Sequence, residues 1–337
     1  MEQFIVLICY AISIIELILD VCVLPISVLN FYLIFKTSII HINLRWLLIC
    51  QCSGVTIYAV ASIVDMSIKL SENQIFEAPN KFAIITRVFG LLVCTQIGIF
   101  LTIERVIATL VVRRYEKYRK PFIAVFSFTI IIPMSIITSY GEGTKGIRTY
   151  TQMESYTVLL AYGCTVTNLA AYLILIFLNY YNTNAYKRRI FTSNSHSLTE
   201  RYQMSENIRT SRQLSPSLLL HFITNLIGQV LTLVGYYQLV TDEGLLWLLY
   251  VFTLSVNGIA YFFIQLTVIQ CHPFLRRQAV QMLRKLCVIK SKIYSLSSTS
   301  ESRNTVMLGI SGNTLITANE READTHFQML SQFWHKK

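Results

Sequence analysis

Residues 83–112 read AIITRVFGLLVCTQIGIFLTIERVIATLVV, and their only charges are Arg87 and the pair Glu104-Arg105. A bilayer core of about 30 Å needs about 20 apolar residues in a helix, and this stretch supplies them with a charge near each end. Arg87 stands 18 residues before Arg105, about 27 Å along a helix, so both charges fall near the two membrane boundaries. Directly behind comes Arg113-Arg114-Tyr115-Glu116-Lys117-Tyr118-Arg119-Lys120, a basic run that stops the span at one face. Such a segment belongs in a membrane and not in a soluble core.

Runs of the same kind occur at about 12–35, 45–67, 121–140, 156–180, 217–240 and 246–270, which with 83–112 makes seven. The expected fold is all-α, a seven-transmembrane helix bundle. Composition agrees: 53% of the 337 residues are hydrophobic and only 14% charged, against about 25% charged in an ordinary soluble domain. The first run is ambiguous because apolar sequence begins at Phe4. Either that helix tilts, or residues 1–11 form a short extracellular or interfacial segment before a seven-span domain at 12–270.

Twenty-four of the 29 Lys and Arg fall on one side of these spans, counting the loops after spans one, three and five and everything after span seven. The positive-inside rule then puts the N-terminus outside and the C-terminus in the cytoplasm. The net charge of +11 is therefore an inner-face property, suited to anionic membrane lipids. Nucleic acid is not expected as a partner, since there is no separate basic domain with interleaved aromatics. The opening Met1-Glu2-Gln3 lacks a positive n-region, so the first run reads as a retained span.

The eight cysteines contain no CxxC pair, and no HExxH, GK[ST] P-loop, GxSxG or metal-spaced His cluster occurs. Gly141-Glu142-Gly143-Thr144-Lys145-Gly146 satisfies GxGxxG, but between two spans it has neither the strand nor the soluble helix that a dinucleotide fingerprint needs. No enzyme, cofactor or metal is expected.

Glu104-Arg105 at the inner end of span three can form a local ion pair that holds the arginine until a conformational change frees it. Alternatively, Arg105 is an inner-face anchor that snorkels to the headgroups. In the third inner loop, Ser197-Leu198-Thr199-Glu200 is a capping-box pattern. It predicts a helix from near 198 through Arg201, Glu206, Asn207 and Arg209 towards span six, with Pro216 as a candidate kink. Residues 271–287 alternate apolar and basic positions and predict a short interfacial helix, with Cys287 at its end as a candidate acylation site. The Ser/Thr-rich tail, 288–337, has no periodic apolar face and reads as disordered.

Polar groups inside spans are costly and face the bundle or a cavity. His221, Asn225 and Gln229 recur every four residues in span six, and Asn257, Tyr261 and Gln265 do so in span seven. Each set is one helical stripe, fit for interhelical hydrogen bonds or for ligand and switch contacts. Asn257 and Tyr261 have the spacing of a receptor span-seven motif, but Tyr261 lies ten residues before Cys271, too deep for an inner-end switch. At the outer half, Asp65, Arg87, Tyr162, Tyr236, Trp247 and Tyr250 are the candidate lining of a ligand cavity. Arg87, with Asp65 or Asp20 as partner, is equally readable as a structural ion pair.

Several strings taken together resemble one family. They are His41-Ile42-Asn43-Leu44, Glu104-Arg105-Val106-Ile107-Ala108-Thr109 with Tyr115-Glu116-Lys117, Arg201-Tyr202-Gln203-Met204-Ser205-Glu206-Asn207-Ile208-Arg209, and His272-Pro273. The chain is similar to nematode serpentine chemoreceptors, most of all class epsilon, with parts shared by the alpha, ab and beta classes. The resemblance runs from about 30 to 290. It implies a seven-span G-protein-coupled receptor of the plasma membrane, often of sensory cilia, that binds a small environmental molecule and activates a heterotrimeric G protein. In such a receptor the placement of Glu104, Arg105, Tyr115, Glu116, Arg201, Glu206, Asn207 and Arg209 at the inner ends of spans three and six makes them the candidates for switching and G-protein coupling. Unlike broader rhodopsin-like receptors, the chain has no Cys near the outer start of span three and none in 141–155, so the disulfide usual there is ruled out. A seven-span ligand-gated channel and a secondary transporter are the rival readings. The charge distribution opposes the first, and the lack of internal repeats opposes the second.

Overall fold

The computed structural model describes residues 2–37, 40–72, 80–111, 115, 120–145, 155–191 and 198–291. Among them the regular structure is helical: α1 Glu2–Lys36, α2 Ile42–Ser71, α3 Lys81–Leu110, α4 Phe122–Lys145, α5 Ser155–Phe191, α6 Leu198–Tyr236, α7 Glu243–Gln270 and α8 Pro273–Ser291. The first seven are long and apolar enough to cross a membrane. Met1–Lys285 is one compact unit, and Leu286–Lys337 a second. Within the second, the described residues are the last turns of α8. The expected disordered tail from 292 onward lies outside the described residues, as does the side chain of Cys287.

The helix starts follow local chemistry. Asn80 Oδ1 accepts from the Phe82 amide at 3.0 Å and Asp242 Oδ1 from the Leu245 amide at 2.8 Å, each satisfying an orphan donor of a first turn. Asn43, in the first turn of α2, accepts from the amides of Ile123 and Ala124 at 3.1 and 3.4 Å, so one helix caps the start of α4. α1 runs unbroken from Glu2 through Pro25, which makes residues 2–11 a continuation of the same rod. α6 starts at Leu198, where the capping-box pattern marks it, and continues through Pro216 into the membrane segment as one 39-residue helix. Its end is closed by Leu239 N–H to Val234 C=O at 3.1 Å, with Gln238 at φ 49° in the left-handed position.

α3 lies at the centre, packed on α2, α4, α5 and α6. α1 leans on α2 and α7, and α7 closes the ring against α6. α2 and α3 approach closely because both carry glycine at the crossing. A Cβ on Gly90 would stand 2.7 Å from the Tyr58 amide nitrogen and 2.8 Å from the Gly54 carbonyl. Such close backbone contact is a common way for helices to associate in lipid, where no hydrophobic drive joins them. The apolar core joins Leu33 and Ile34 of α1, Leu44, Leu47 and Leu48 of α2, Ile97 and Leu101 of α3 and Leu218 of α6. Outward positions are large and apolar, such as Phe122, Ile137 and Leu159, all more than 70% exposed, as lipid contact requires.

Candidate functional site

Polar side chains gather in two buried clusters, one towards each end of α3. The first surrounds Arg87, one to two turns into that helix. Its guanidinium meets the Glu16 carboxylate of α1 directly, donates to the Tyr58 hydroxyl of α2 at 3.2 Å, and stands 3.9 Å from Asp65 of α2. Asp65 also holds Lys69 at 3.3 Å one turn on, and the Lys69 ammonium lies 5.9 Å from the Trp247 ring centre. Trp247 and Tyr250 contact edge to face at 5.7 Å on α7. Glu16 and Asp20 share one face of α1, four residues apart, and both are fully buried. Ser62 donates to Glu16 at 3.1 Å.

Of the expected outer-pocket residues, the structure thus brings together Asp65, Arg87, Trp247 and Tyr250. Tyr162 sits apart on α5, a helix packed on α3 and α6, and is 60% exposed. Tyr236 ends α6 against Tyr237, ring centres 5.1 Å apart. Glu16 was the partner of Arg87 that sequence reading missed, in favour of Asp65 or Asp20. Its signal was the Glu16-to-Asp20 spacing, two acids one turn apart in an apolar run.

The second cluster centres on Arg105. Glu104 takes the Arg105 Nε and Nη2 protons in a forked pair, both at 2.5 Å. Nη1 crosses to α6, donating to Thr210 at 2.5 Å and to Asn207 Oδ1 at 3.4 Å. Asn207 in turn donates to the Ala108 carbonyl at 3.1 Å. From the loop after α3, the Tyr115 hydroxyl donates to Glu104, and the Tyr115 ring lies on His41 at 4.0 Å. Burial, and then the Glu104 charge, push the Tyr115 phenol up from its ordinary pKa, so it remains a proton donor. Next on α6, Glu206 faces His272 at 3.3 Å, at the junction of α7 and α8.

Glu104, Arg105, Tyr115 and Asn207 are therefore one connected network spanning α3, α6 and the loop after α3; beside it Glu206, whose backbone carbonyl accepts from Thr210 at 2.8 Å, ties the same stretch of α6 to His272. Arg209 is half-buried on α6. Glu116 and the Arg201 side chain lie outside the described residues. Thr210 and His41 join the network, and His272 joins Glu206, without having been singled out as contacts. Arg105 is 2% exposed, so it does not snorkel to the headgroups in this conformation.

Between the clusters the polar stripes tie helices together. His221 meets Gln51 of α2 at 3.2 Å, and Asn225 accepts from Thr95 of α3 at 3.3 Å. Gln265 accepts from Asn30 of α1 at 2.5 Å, and Tyr261 packs edge-on to Tyr58 at 4.7 Å. Asn257 and Gln229 are buried on the same faces. Among the described residues no group of three His, Cys, Asp or Glu is arranged to hold a metal ion, and the cysteines are free thiols.

No curated protein matches the chain. The family model described as Sre G protein-coupled chemoreceptor matches residues 3–335.

Proposed function

The chain belongs to the Sre family of G protein-coupled chemoreceptors, and on that premise we propose how it works. It sits in the plasma membrane with the N-terminus outside, receives a small molecule at the Arg87 end and engages a heterotrimeric G protein at the Arg105 end. The animal is a nematode, the receptor class epsilon, and the site of action a sensory cilium. Lys and Arg bias supports the orientation.

One observation carries the mechanism: Arg105 is buried and joins α3 to α6 through Thr210 and Asn207 while Glu104 holds its other edge. This is a lock of a few hydrogen bonds on a long helix, α6, whose first turns project past the membrane segment. A two-state element needs only a few kcal/mol of bias. Ligand at the far end of α3 and α7 shifts the packing, the lock opens, α6 swings outward, and Arg105 with the basic loops meets an acidic G-protein surface.

GTP exchange on a heterotrimeric G protein, in membranes holding equal amounts of parent and Arg105→Ala receptor, tests this reading. Exchange should vanish in the variant while ligand binding persists. A variant that signals like the parent would make Arg105 a structural tie and nothing more.

A further inference from the structure

Glu206 and Thr210 stand one turn apart on α6, and each is held by a different neighbour. Arg105 of α3 grips Thr210 and Asn207. On the other side His272, at the corner between α7 and α8, donates from Nε2 to Glu206 Oε1 at 3.3 Å. Both partners of this second contact are buried, His272 at 2% and Glu206 at 7% exposure. The other ring nitrogen, Nδ1, is buried and makes no hydrogen bond, so Glu206 is the ring's one hydrogen-bond partner among the described residues. Two turns along α6, Gln213 Nε2 donates to the Val268 carbonyl of α7 at 2.8 Å, which continues the same seam.

A buried histidine at this corner could serve to fix α8 or to hold α6. α8 is fixed without it. Leu275 and Ala279 seat that helix in the apolar core beside Leu33, Ile34 and Leu44. Its first turn closes through backbone, Arg276 N–H to His272 C=O at 3.0 Å, and α7 ends the same way, Cys271 N–H to Thr267 C=O at 3.0 Å. The ring is spent on α6, not on capping its own helix. The corner is therefore a fixed post. The buried face of α6 beside it is largely polar, with Gln203, Glu206, Asn207, Thr210 and Ser211. A face of that kind is held by particular hydrogen bonds, which have strict geometry and are lost when the helix shifts.

We propose that His272 is a positioning residue of the coupling end: from the α7–α8 corner it holds Glu206, and so keeps the inner turns of α6 in the resting position. It is a second latch, one turn from the Arg105 latch and on the opposite side of α6. The inference rests on the reading of α6 as the moving element, and it adds α7 and α8 to what that helix must leave.

Pulsed spin-label distances in the purified full chain in nanodiscs test the proposal without a G protein. The labels are carried by noncanonical amino acids at two exposed positions, Arg212 of α6 and Arg277 of α8. His272→Phe keeps a ring but no nitrogen. It should add a longer-distance population, raising the ratio of displaced to held α6 roughly tenfold or more, the loss of one hydrogen bond to a charged group. Glu206→His sets two imidazoles where the polar atoms now meet, and zinc binds imidazole nitrogen at about 2.0–2.1 Å. Zinc chloride should return that variant to the short distance, and a chelator should release it again. A ring that only filled space would give no such metal-reversible movement. Should His272→Phe be recovered in poor yield, Glu206→His with and without zinc carries the test. Parent distances in His272→Phe, or distances in Glu206→His that ignore zinc, would overturn the latch. Displacement of α6 in His272→Phe with no nucleotide exchange in any form of the receptor supports the latch and sinks the coupling reading instead.

Discussion

Arg105 Nη1 of α3 donates to Thr210 Oγ1 of α6 across 2.5 Å, while the other edge of the same guanidinium grips Glu104. One planar side chain with five donors thus holds an intrahelical acid and a neighbouring helix together. α6 cannot leave α3 at this end without giving up that bond, the weaker one to Asn207, and the Asn207 bond to the Ala108 carbonyl.

Thr210→Val keeps the shape of the side chain and deletes the hydroxyl. A hydrogen bond to a charged group is worth about 1.5–3 kcal/mol net, so ligand-independent GTP exchange should rise by roughly ten- to a hundredfold if the bond belongs to the resting state alone. Membranes from cells expressing matched amounts of parent and variant give the comparison. Unchanged basal exchange would show that Thr210 stays bonded through activation.

Arg87→Ala should lose folded receptor before it loses any response. It leaves Glu16 and Asp65 buried with one fewer positive charge, and breaking a buried pair from one side costs about 3–5 kcal/mol. Surface labelling and size-exclusion profiles should show a collapse in yield. Arg87→Met combined with Glu16→Gln removes both charges and should recover much of it. Normal yield of Arg87→Ala would return Arg87 to the role of a recognition charge.

Span count and the Glu104-Arg105 pair were legible because both are local. Apolar length reports a membrane helix directly, and adjacent residues pair whatever surrounds them. The partners of Arg87 were less legible, because an 18-residue offset along α3 gives depth in the membrane but not which neighbour stands at that depth. Glu16 on α1 and Asp65 on α2 both qualify by depth, and only the packing of α1 against α2 and α7 brings Glu16 into first contact. Thr210 was hidden for another reason. Threonine in a helix commonly bonds its own carbonyl four residues back, as Thr210 also does to Glu206 at 2.8 Å, so nothing in its type marks it as a cross-helix acceptor.

The α2–α3 crossing makes glycine at 90 a packing requirement. Gly90→Ala would place a carbon 2.7 Å from backbone nitrogen and 2.8 Å from backbone oxygen, neither of which can swing aside. Overpacking of this kind costs about 1–3 kcal/mol, visible as a lowered Tm in detergent. Gly228→Ala is the matched control, since nothing lies within 4 Å of its added carbon. It should be neutral or slightly stabilising, by up to about 1 kcal/mol from helix propensity. Equal losses at both sites would mean that α2 and α3 do not touch as closely as this.

The basic residues are the ground for the proposed orientation. An N-terminal epitope should be labelled on intact cells, and a C-terminal epitope only after permeabilisation. Glu104, Arg105 and Tyr115 then lie at the cytoplasmic end, where a G protein can reach them. Surface labelling of the C-terminal tag would reverse both ends and remove the basis for coupling through Arg105.

Glu104→Gln and Tyr115→Phe separate the charge of the lock from its geometry. Glu104 receives the Arg105 fork and the Tyr115 hydroxyl. The neutral amide keeps the outline but has one acceptor oxygen where the carboxylate has two, so one tooth of the Arg105 fork is lost, a hydrogen bond to a charged group worth about 1.5–3 kcal/mol. Glu104→Gln should therefore raise basal exchange by roughly fortyfold at the middle of that range. Tyr115→Phe leaves the carboxylate charged and removes a competing donor. The Glu104 charge is then shared less and holds Arg105 at least as firmly, so basal exchange should stay at the parent level or fall. Nucleotide exchange at matched receptor density reads both. Should the two variants rise together, Tyr115 and Glu104 act as one tether for the loop after α3, and the Arg105 fork is not the element that opens.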